Sequence, residues 1–308
     1  METLKIAITG ASGFVGANLT THFSKSHDVY ALTRNINGWR LASTDAIPFD
    51  VANRSKVFKV LKKIKPDILI HCAVYGGYHF ENNVRDVINT NIIGTLNVLN
   101  ACDGISLFIN TGSSSEYGIK YKSMNETDTT EPRSNYAMSK VLITNMLQSV
   151  NPKAITMRLF SAYGYYEEKH RLIPYLLYSA IKGEKAKLSN RNSVRDFVFI
   201  EDISCAYELA IRKQNKLKRG EIFNVGSGKQ TYVEDVAKSI GAKVEWTPGI
   251  RVTEPHMRWQ ADISKIKGEL GWKPRNTLEQ GLIKTKLWME DNITLYEDER
   301  NDKKATGS

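Results

Sequence analysis

The chain has 308 residues, 41% hydrophobic and 25% charged, with 43 Lys and Arg against 33 Asp and Glu. That length suits about two domains of roughly 150 residues, and the composition excludes a mostly disordered chain. The formal charge of +10 points to an anionic partner without choosing among nucleic acid, a membrane surface and a phosphorylated metabolite. Cys72, Cys102 and Cys205 lack CxxC or Cys/His spacing, which argues against a disulfide framework and a structural zinc, and no metal is expected. No apolar stretch approaches the roughly 20 residues that span a bilayer. The first residues run into a strand without a basic leader, so the expected location is the cytoplasm.

In chain order, an apolar run over 4–9 predicts a strand. The segment Gly10-Ala-Ser-Gly13-Phe-Val-Gly16 and a helix to about residue 25 follow. A second strand covers 28–32. Residues 53–65 form an amphipathic helix with Val57, Val60, Leu61 and Ile64 on one face and lysines on the other; Pro66 ends it. A strand over 67–71, a long helix over 81–101, a strand over 105–110, a helix over 134–150 and a strand over 154–159 complete the first half. This alternation predicts an α/β, Rossmann-type doubly wound parallel sheet over 1–160, with helices on both faces. Beyond it, a strand over 193–200 and helices over 262–270 and 277–290 predict a smaller C-terminal α/β substrate lobe over 161–290. Some of its segments are expected to return to the first sheet. Residues 291–308 are polar and aperiodic, and predict a disordered tail.

Three glycines between a strand and a helix have distinct uses: a tight turn, close approach of backbone to a pyrophosphate, and close helix–strand packing. The turn, with Ser12, Phe14 and Val15 between Gly10, Gly13 and Gly16, is a candidate dinucleotide site, and the helix start adds N–H donors for phosphate. Three glycines also mark any tight turn, so position carries the reading. The second strand ends Thr33-Arg34, without the acid that bonds a ribose 2′-hydroxyl. Arg34 is either a surface arginine or a partner for a 2′-phosphate, and NADP(H) is favoured over NAD(H). Tyr136 and Lys140 stand four residues apart, on one face of a helix. An ammonium close to a phenol favours the phenolate, which a tyrosine needs if it is to exchange protons at neutral pH. Upstream, Asn110-Thr-Gly-Ser113-Ser114-Ser115-Glu116-Tyr117-Gly118 follows a strand and offers a serine to the same site.

Together these elements resemble the extended short-chain dehydrogenase/reductase family, in its nucleotide-sugar epimerase, dehydratase and reductase branch, over about residues 4–290. Further landmarks fall in order: Phe49-Asp50-Val51, His71-Cys72-Ala73, Asn91-Ile-Ile-Gly94-Thr95, Arg158-Leu-Phe-Ser161-Ala-Tyr-Gly164, Arg195-Asp196-Phe-Val, Phe223-Asn-Val-Gly-Ser-Gly228 and Leu270-Gly-Trp-Lys-Pro274. The resemblance implies Tyr136 as acid/base, Lys140 as its partner and a ribose ligand, and Ser113 as the third catalytic member. It implies Asp50, Val51, Cys72, Ala73 and Asn91 beside the cofactor, and Ser114, Ser161 and Arg195 toward a nucleotide-diphosphate sugar, to which Arg171 is added as a candidate phosphate contact. The 4,6-dehydratases of the family carry an acidic pair after the Ser/Thr. Here Ser114-Ser115 stand there and Glu116 comes one place late, which argues against dehydration. Ser161 replaces the family's usual Asn.

The Ser-Ser-Ser-Glu-Tyr-Gly and Arg-Leu-Phe-Ser segments look like those of CDP-paratose/abequose synthase-type ketoreductases. The expected reaction is therefore NADPH-dependent reduction at C4 of a 4-keto-6-deoxy sugar nucleotide. The alternatives are a 4-epimerase with tightly bound NAD and, from another class, a non-catalytic cofactor-sensing or RNA-binding member. The lysine runs at 56–65 and 212–219 lie at helical spacing opposite apolar positions without interleaved aromatics, so they read as solvent faces and no nucleic acid or membrane partner is expected. His170-Arg171 reads as a phosphate contact or a solvated helix start, and Tyr163-Gly-Tyr-Tyr166 as pocket lining or packing. A homodimer through the helices at 81–101 and 134–150 is implied by the resemblance.

Overall fold

The structure, a computed structural model, describes residues 2–41, 45–78, 80–150, 153–247 and 256–297. The first half alternates β1 (Lys5–Thr9), α1 (Phe14–Phe23), β2 (Asp28–Thr33), β3 (Ala46–Pro48), α2 (Arg54–Ile64) and β4 (Ile68–His71). It continues through α3 (Val84–Val87), α4 (Gly94–Ala101), β5 (Leu107–Ser113), α5 (Asn135–Met146) and β6 (Ala154–Leu159). After it come β7 (Ser161–Tyr163), α6 (Leu172–Lys182), β8 (Ala186–Leu188), β9 (Val194–Arg195), β10 (Phe197–Phe199), α7 (Ile200–Arg212) and β11 (Glu221–Val225). The last elements are β12 (Thr231–Tyr232), α8 (Val233–Ile240), β13 (Val244–Trp246), α9 (Ser264–Leu270), α10 (Leu278–Asp291) and α11 (Ile293–Glu297).

One parallel sheet runs β11-β6-β5-β4-β1-β2-β3. Its strands read as continuous apolar runs because both faces are covered. Successive side chains point to opposite faces: Ile6, Ile8, Ile68, Ile70 and Ile109 enter one core cluster, and Ala7, Leu69 and Phe108 enter the other. Burying each such Ile or Leu contributes about 1.5–3 kcal/mol. β1 pairs with β2 on one side and β4 on the other. The strand order therefore reverses there, opening a crevice at the carboxyl ends of β1 and β4 where such sheets bind ligands. The chain comes back to this sheet after residue 160, where β11 forms the sheet edge beside β6.

Four expectations are corrected. The helix predicted over 81–101 starts at Val84, capped by the Asn83 side chain, and a π-helical turn over Ile88–Ile93 separates α3 from α4. The strand predicted over 193–200 is two strands broken at Asp196, with Ile200 already opening α7. The alternation through Arg195 and Asp196 hid the break, and the apolar run Phe197-Val-Phe-Ile200 hid the passage into α7. The tail predicted from 291 begins as α11, held because Tyr296 is buried and donates its hydroxyl to the Glu167 carbonyl. Residues 298–308 lie outside the described residues. The basic run at 212–219, read at helical spacing, starts at Arg212, the last residue of α7, and runs past it through a 3₁₀ turn over Gln214–Lys216. The helix-start reading of His170-Arg171 is met by α6, whose N-cap is Arg171; α7 and α8 have no counterpart among the predicted elements.

Candidate functional site

The glycine turn closes the β1 end of the crevice. Gly10 has φ +67°, and a Cβ there would lie 2.6 Å from the Ala73 nitrogen; one on Gly16 would lie 2.3 Å from the Gly10 carbonyl oxygen. These two glycines pack backbone on backbone. At Gly13 a Cβ would meet only the Gly10 oxygen, at 3.2 Å. Gly13 is also the N-cap of α1, which has no side-chain cap bond and no acid in its first turn. The N–H groups of Phe14, Val15 and Gly16 thus point out from a helix start, and the residues present fit a dinucleotide pyrophosphate. Beside them, Ser12 Oγ lies 2.6 Å from Thr33 Oγ1, which also accepts the Asn35 N–H at 3.2 Å. Arg34 is exposed at this edge. Next along, Asp50 Oδ1 accepts the Ala52 N–H, and Val51 is buried against Gly94, where a Cβ would come within 2.5 Å of Val51 Cγ2.

A buried relay fixes the neighbouring strand end. Ala73 N–H bonds Thr9 Oγ1 (3.3 Å), which lies 2.8 Å from His71 Nδ1; His71 Nε2 lies 2.9 Å from Thr95 Oγ1, which donates to the Asn91 carbonyl at 2.5 Å. Because Thr95 spends its hydrogen on Asn91, His71 donates from Nε2 and accepts from Thr9 at Nδ1. The ring is neutral: burial, reinforced by the Lys140 charge, pushes its pKa down to about 3. The π turn swings Asn91 inward. Its side chain bonds both the N–H and the carbonyl of Tyr75 and donates to Ser139 Oγ, which in turn donates to the Tyr136 carbonyl. Cys72 Sγ lies 3.2 Å from Thr111 Oγ1, and burial raises its thiol to about 11, so it is protonated.

Ser113 ends β5 and caps the 3₁₀ turn that follows, while α5 packs against both. Ser134 caps α5 by accepting the Ala137 N–H at 3.1 Å, which fixes Tyr136 in the first turn. Lys140, one turn on, is buried, donates from Nζ to the Thr111 carbonyl at 2.6 Å, and sits 5.7 Å from the Tyr136 ring centroid. Ser113, Tyr136 and Lys140 are thus gathered at the carboxyl edge of the sheet. Glu116 is taken up elsewhere: it is fully buried, accepts the Ser113 N–H at 2.9 Å and pairs with Arg158 Nε at 2.8 Å.

On the lobe side, the half-buried Arg195 donates to the Val194 carbonyl and lies 5.4 Å from the Trp259 ring, whose indole N–H donates to Ser114 Oγ at 3.2 Å. Trp259 therefore joins two expected substrate residues, and no motif in the sequence marks it. Asp196, between β9 and β10, accepts from the Ser227 N–H and hydroxyl, the Gly228 N–H and the Ala261 N–H. Burial pushes its carboxyl up to about 6 against those four donors, leaving it ionised at neutral pH. Ser161 sits half-buried in β7 with its N–H on the Asp196 carbonyl. Arg171 is exposed. It donates to the Gly77 carbonyl at 2.7 Å and stacks on Tyr78. Tyr165 and Tyr166 pack on Trp288, which favours packing over pocket lining for that segment.

The profile of the NAD dependent epimerase/dehydratase family matches residues 6–226. The chain is 25% identical over 346 residues to a dTDP-glucose 4,6-dehydratase of Neisseria meningitidis serogroup B, covering 96% of each. It is 26% identical over 335 residues to a UDP-glucose 4-epimerase of Lactobacillus helveticus, covering 96% of this chain and all of the other. The UDP-glucose 4-epimerase of Thermus thermophilus, solved in complex with NAD, superposes with a TM-score of 0.81 at 22% identity, covering 93% and 99% of the two chains. That last likeness shows the fold.

Proposed function

The chain belongs to the NAD dependent epimerase/dehydratase family, enzymes of the extended short-chain dehydrogenase/reductase class, and from that premise we propose that it reduces the C4 carbonyl of a nucleotide-diphosphate 4-keto-6-deoxy sugar with NADPH. The observation that carries the cofactor choice is the hydroxyl pair Ser12–Thr33 with Arg34 beside it. Among the described residues bonded to that pair there is no carboxylate to repel a 2′-phosphate. Residues 10–16 would hold the dinucleotide pyrophosphate, with Asp50, Val51, Cys72, Ala73 and Asn91 around the rest of the cofactor, and NADPH bound there would supply the hydride.

The protein's part is positioning and proton transfer. Ser113 donates a hydrogen bond to the sugar carbonyl, polarising it. Tyr136 gives its hydroxyl proton to the oxygen as negative charge develops there. Lys140, held by the Thr111 carbonyl, stabilises the phenolate that this leaves. Arg195 takes the diphosphate, and Ser114 with Trp259 flanks the sugar between diphosphate and C4. The buried pairing of Glu116 with Arg158 keeps that nearby acid out of the pocket, so elimination lacks its acid.

Purified protein is expected to consume one NADPH per 4-keto-6-deoxy sugar nucleotide, and to use NADH at least about tenfold less well, the effect of losing one charged contact. Spectrophotometric assays with dTDP-, UDP-, CDP- and GDP-linked substrates read it. Nicotinamide that survives purification and supports turnover without added reductant would sink the reductase reading in favour of a 4-epimerase with resident NAD, the activity named for two of the similar proteins.

We extend the proposal to a homodimer. Val84, Ile88, Met138 and Leu142 are 49%, 43%, 53% and 43% exposed, on adjoining helices α3, its π turn and α5. Apolar side chains clustered on one face mark an association surface. Sedimentation is expected to give a dimer and Leu142→Glu a monomer; a wild-type monomer at micromolar concentration rejects this.

A further inference from the structure

Arg40 joins three segments that lie far apart in the chain. Its side chain is 8% exposed. Nη1 donates to the Ser12 carbonyl in the glycine turn at 3.2 Å, Nε to the Tyr166 carbonyl at 2.6 Å, and Nη2 to the Glu168 carboxylate at 2.5 Å. A guanidinium carries its donors in a rigid planar fork, so three acceptors held by one Arg are fixed relative to one another.

The loop it grips needs holding. Tyr166 has φ +64°, a left-handed conformation that a side chain with a Cβ rarely adopts. Its ring lies 5.9 Å from Trp39 and 4.7 Å from Trp288. Glu167 is buried, and burial, opposed by Arg171 and Arg40, pushes its carboxyl up to about 8. It is thus largely protonated at neutral pH and leaves Arg40 to Glu168. From Glu168 the loop reaches Arg171, the N-cap of α6, whose guanidinium bonds the Gly77 carbonyl and stacks 4.6 Å from the Tyr78 ring. Residues 164–171 are therefore tied at one end to the turn at 10–16 and at the other to the segment following Ala73. Both ties flank the dinucleotide crevice.

We propose that Arg40 is a positioning residue that couples dinucleotide occupancy of the glycine turn to the order of loop 164–171. The inference rests on the reading of that turn as the dinucleotide site. The Ser12–Gly13 peptide is held within the turn by its N–H on the Gly10 carbonyl at 2.9 Å, and a pyrophosphate on the N–H groups after Gly13 stiffens that turn one residue further on. Arg40 passes that constraint to Tyr166 and Glu168, and through them to Arg171. A coupling of this kind needs a contact whose strength differs between the occupied and empty states, and the 3.2 Å bond of Arg40 Nη1 to the Ser12 carbonyl is the contact assigned to that role.

Hydrogen–deuterium exchange of the full chain, with and without saturating NADP+, tests it. NADP+ alone is expected to slow amide exchange across 164–171 by at least about fivefold in the wild type. Arg40→Gln should abolish that protection while protection at 10–16 persists. Arg40→Lys, which keeps the charge without the fork, should abolish it too. Glu168→Gln leaves the Ser12 bond in place and is expected to reduce the NADP+-dependent protection of 164–171, which keeps the idea testable if the Arg40 variants do not fold. Equal loop protection in wild type and variants, or a wild-type loop indifferent to bound NADP+, overturns the role of Arg40. Failure of both NADP+ and NAD+ to protect 10–16 overturns the dinucleotide reading instead.

Discussion

Replacing Tyr136 with phenylalanine is expected to lower kcat by about 10²–10⁴-fold, the range supplied by a positioned general acid. The nucleotide-sugar KM should move far less, because the lost proton donation belongs to the transition state. The substitution removes one oxygen and leaves the ring where it is. Ser134 still caps α5, and Gly76 still faces the Tyr136 Cβ, 3.3 Å from where its own Cβ would be. Lys140→Met should cost a comparable factor by a different route. It removes the buried ammonium that lies 5.7 Å from the ring and bonds the Thr111 carbonyl at 2.6 Å, so the phenolate loses its counter-charge. Single-turnover oxidation of NADPH separates the chemical step from product release and reads both variants. A Tyr136→Phe enzyme that keeps half the wild-type single-turnover rate would remove Tyr136 from the mechanism and revive a non-catalytic role for the fold.

What could be read from the sequence is what leaves a repeating or local trace. Strand–helix alternation is legible because a parallel sheet buried on both faces demands unbroken apolar strands. The glycine turn is legible because Gly10 and Gly16 admit no Cβ. Tyr136 and Lys140 are legible because a helix places i and i+4 together. The contacts that complete the site join segments with no fixed spacing. Trp259 reaches Ser114 from 145 residues away, and Arg40 reaches Glu168 from 128. Such pairs follow from the topology, and no window of sequence contains them. The π turn at Ile88–Ile93 escaped for another reason: its residues keep helical periodicity, and only the bonds of Asn91 to Tyr75 and Ser139 show why the helix widens. The break at Asp196 lay hidden inside a strand-like alternation, although a buried carboxylate with four donors from distant loops is what ends the strand.

Glu116→Gln is expected to destabilise the protein by about 3–5 kcal/mol, because it leaves the Arg158 guanidinium buried without a counter-charge. The pair is among the driest in the molecule, with side chains 0% and 2% exposed and Nε 2.8 Å from Oε2. Its surroundings are built around that carboxylate. A Cβ on Gly112 would lie 2.8 Å from Glu116 Oε1, so only glycine leaves the space. The Arg158 guanidinium lies over the Tyr117 ring at 4.6 Å, and the Tyr117 hydroxyl donates to Asn224 Oδ1 at 2.7 Å. The other carboxylate oxygen accepts the Ser113 N–H, so the same substitution loosens the residue that polarises the substrate and should also lower kcat. Urea unfolding at neutral pH measures the first effect and single-turnover kinetics the second. Pairing Glu116→Gln with Arg158→Met should recover much of the stability, since the uncompensated charge is gone, and part of the rate, since the amide oxygen of the substituted side chain is then free to accept the Ser113 N–H. An unchanged urea midpoint for Glu116→Gln would show that the ion pair does not hold this turn, and would return Glu116 to consideration as an acid in the pocket.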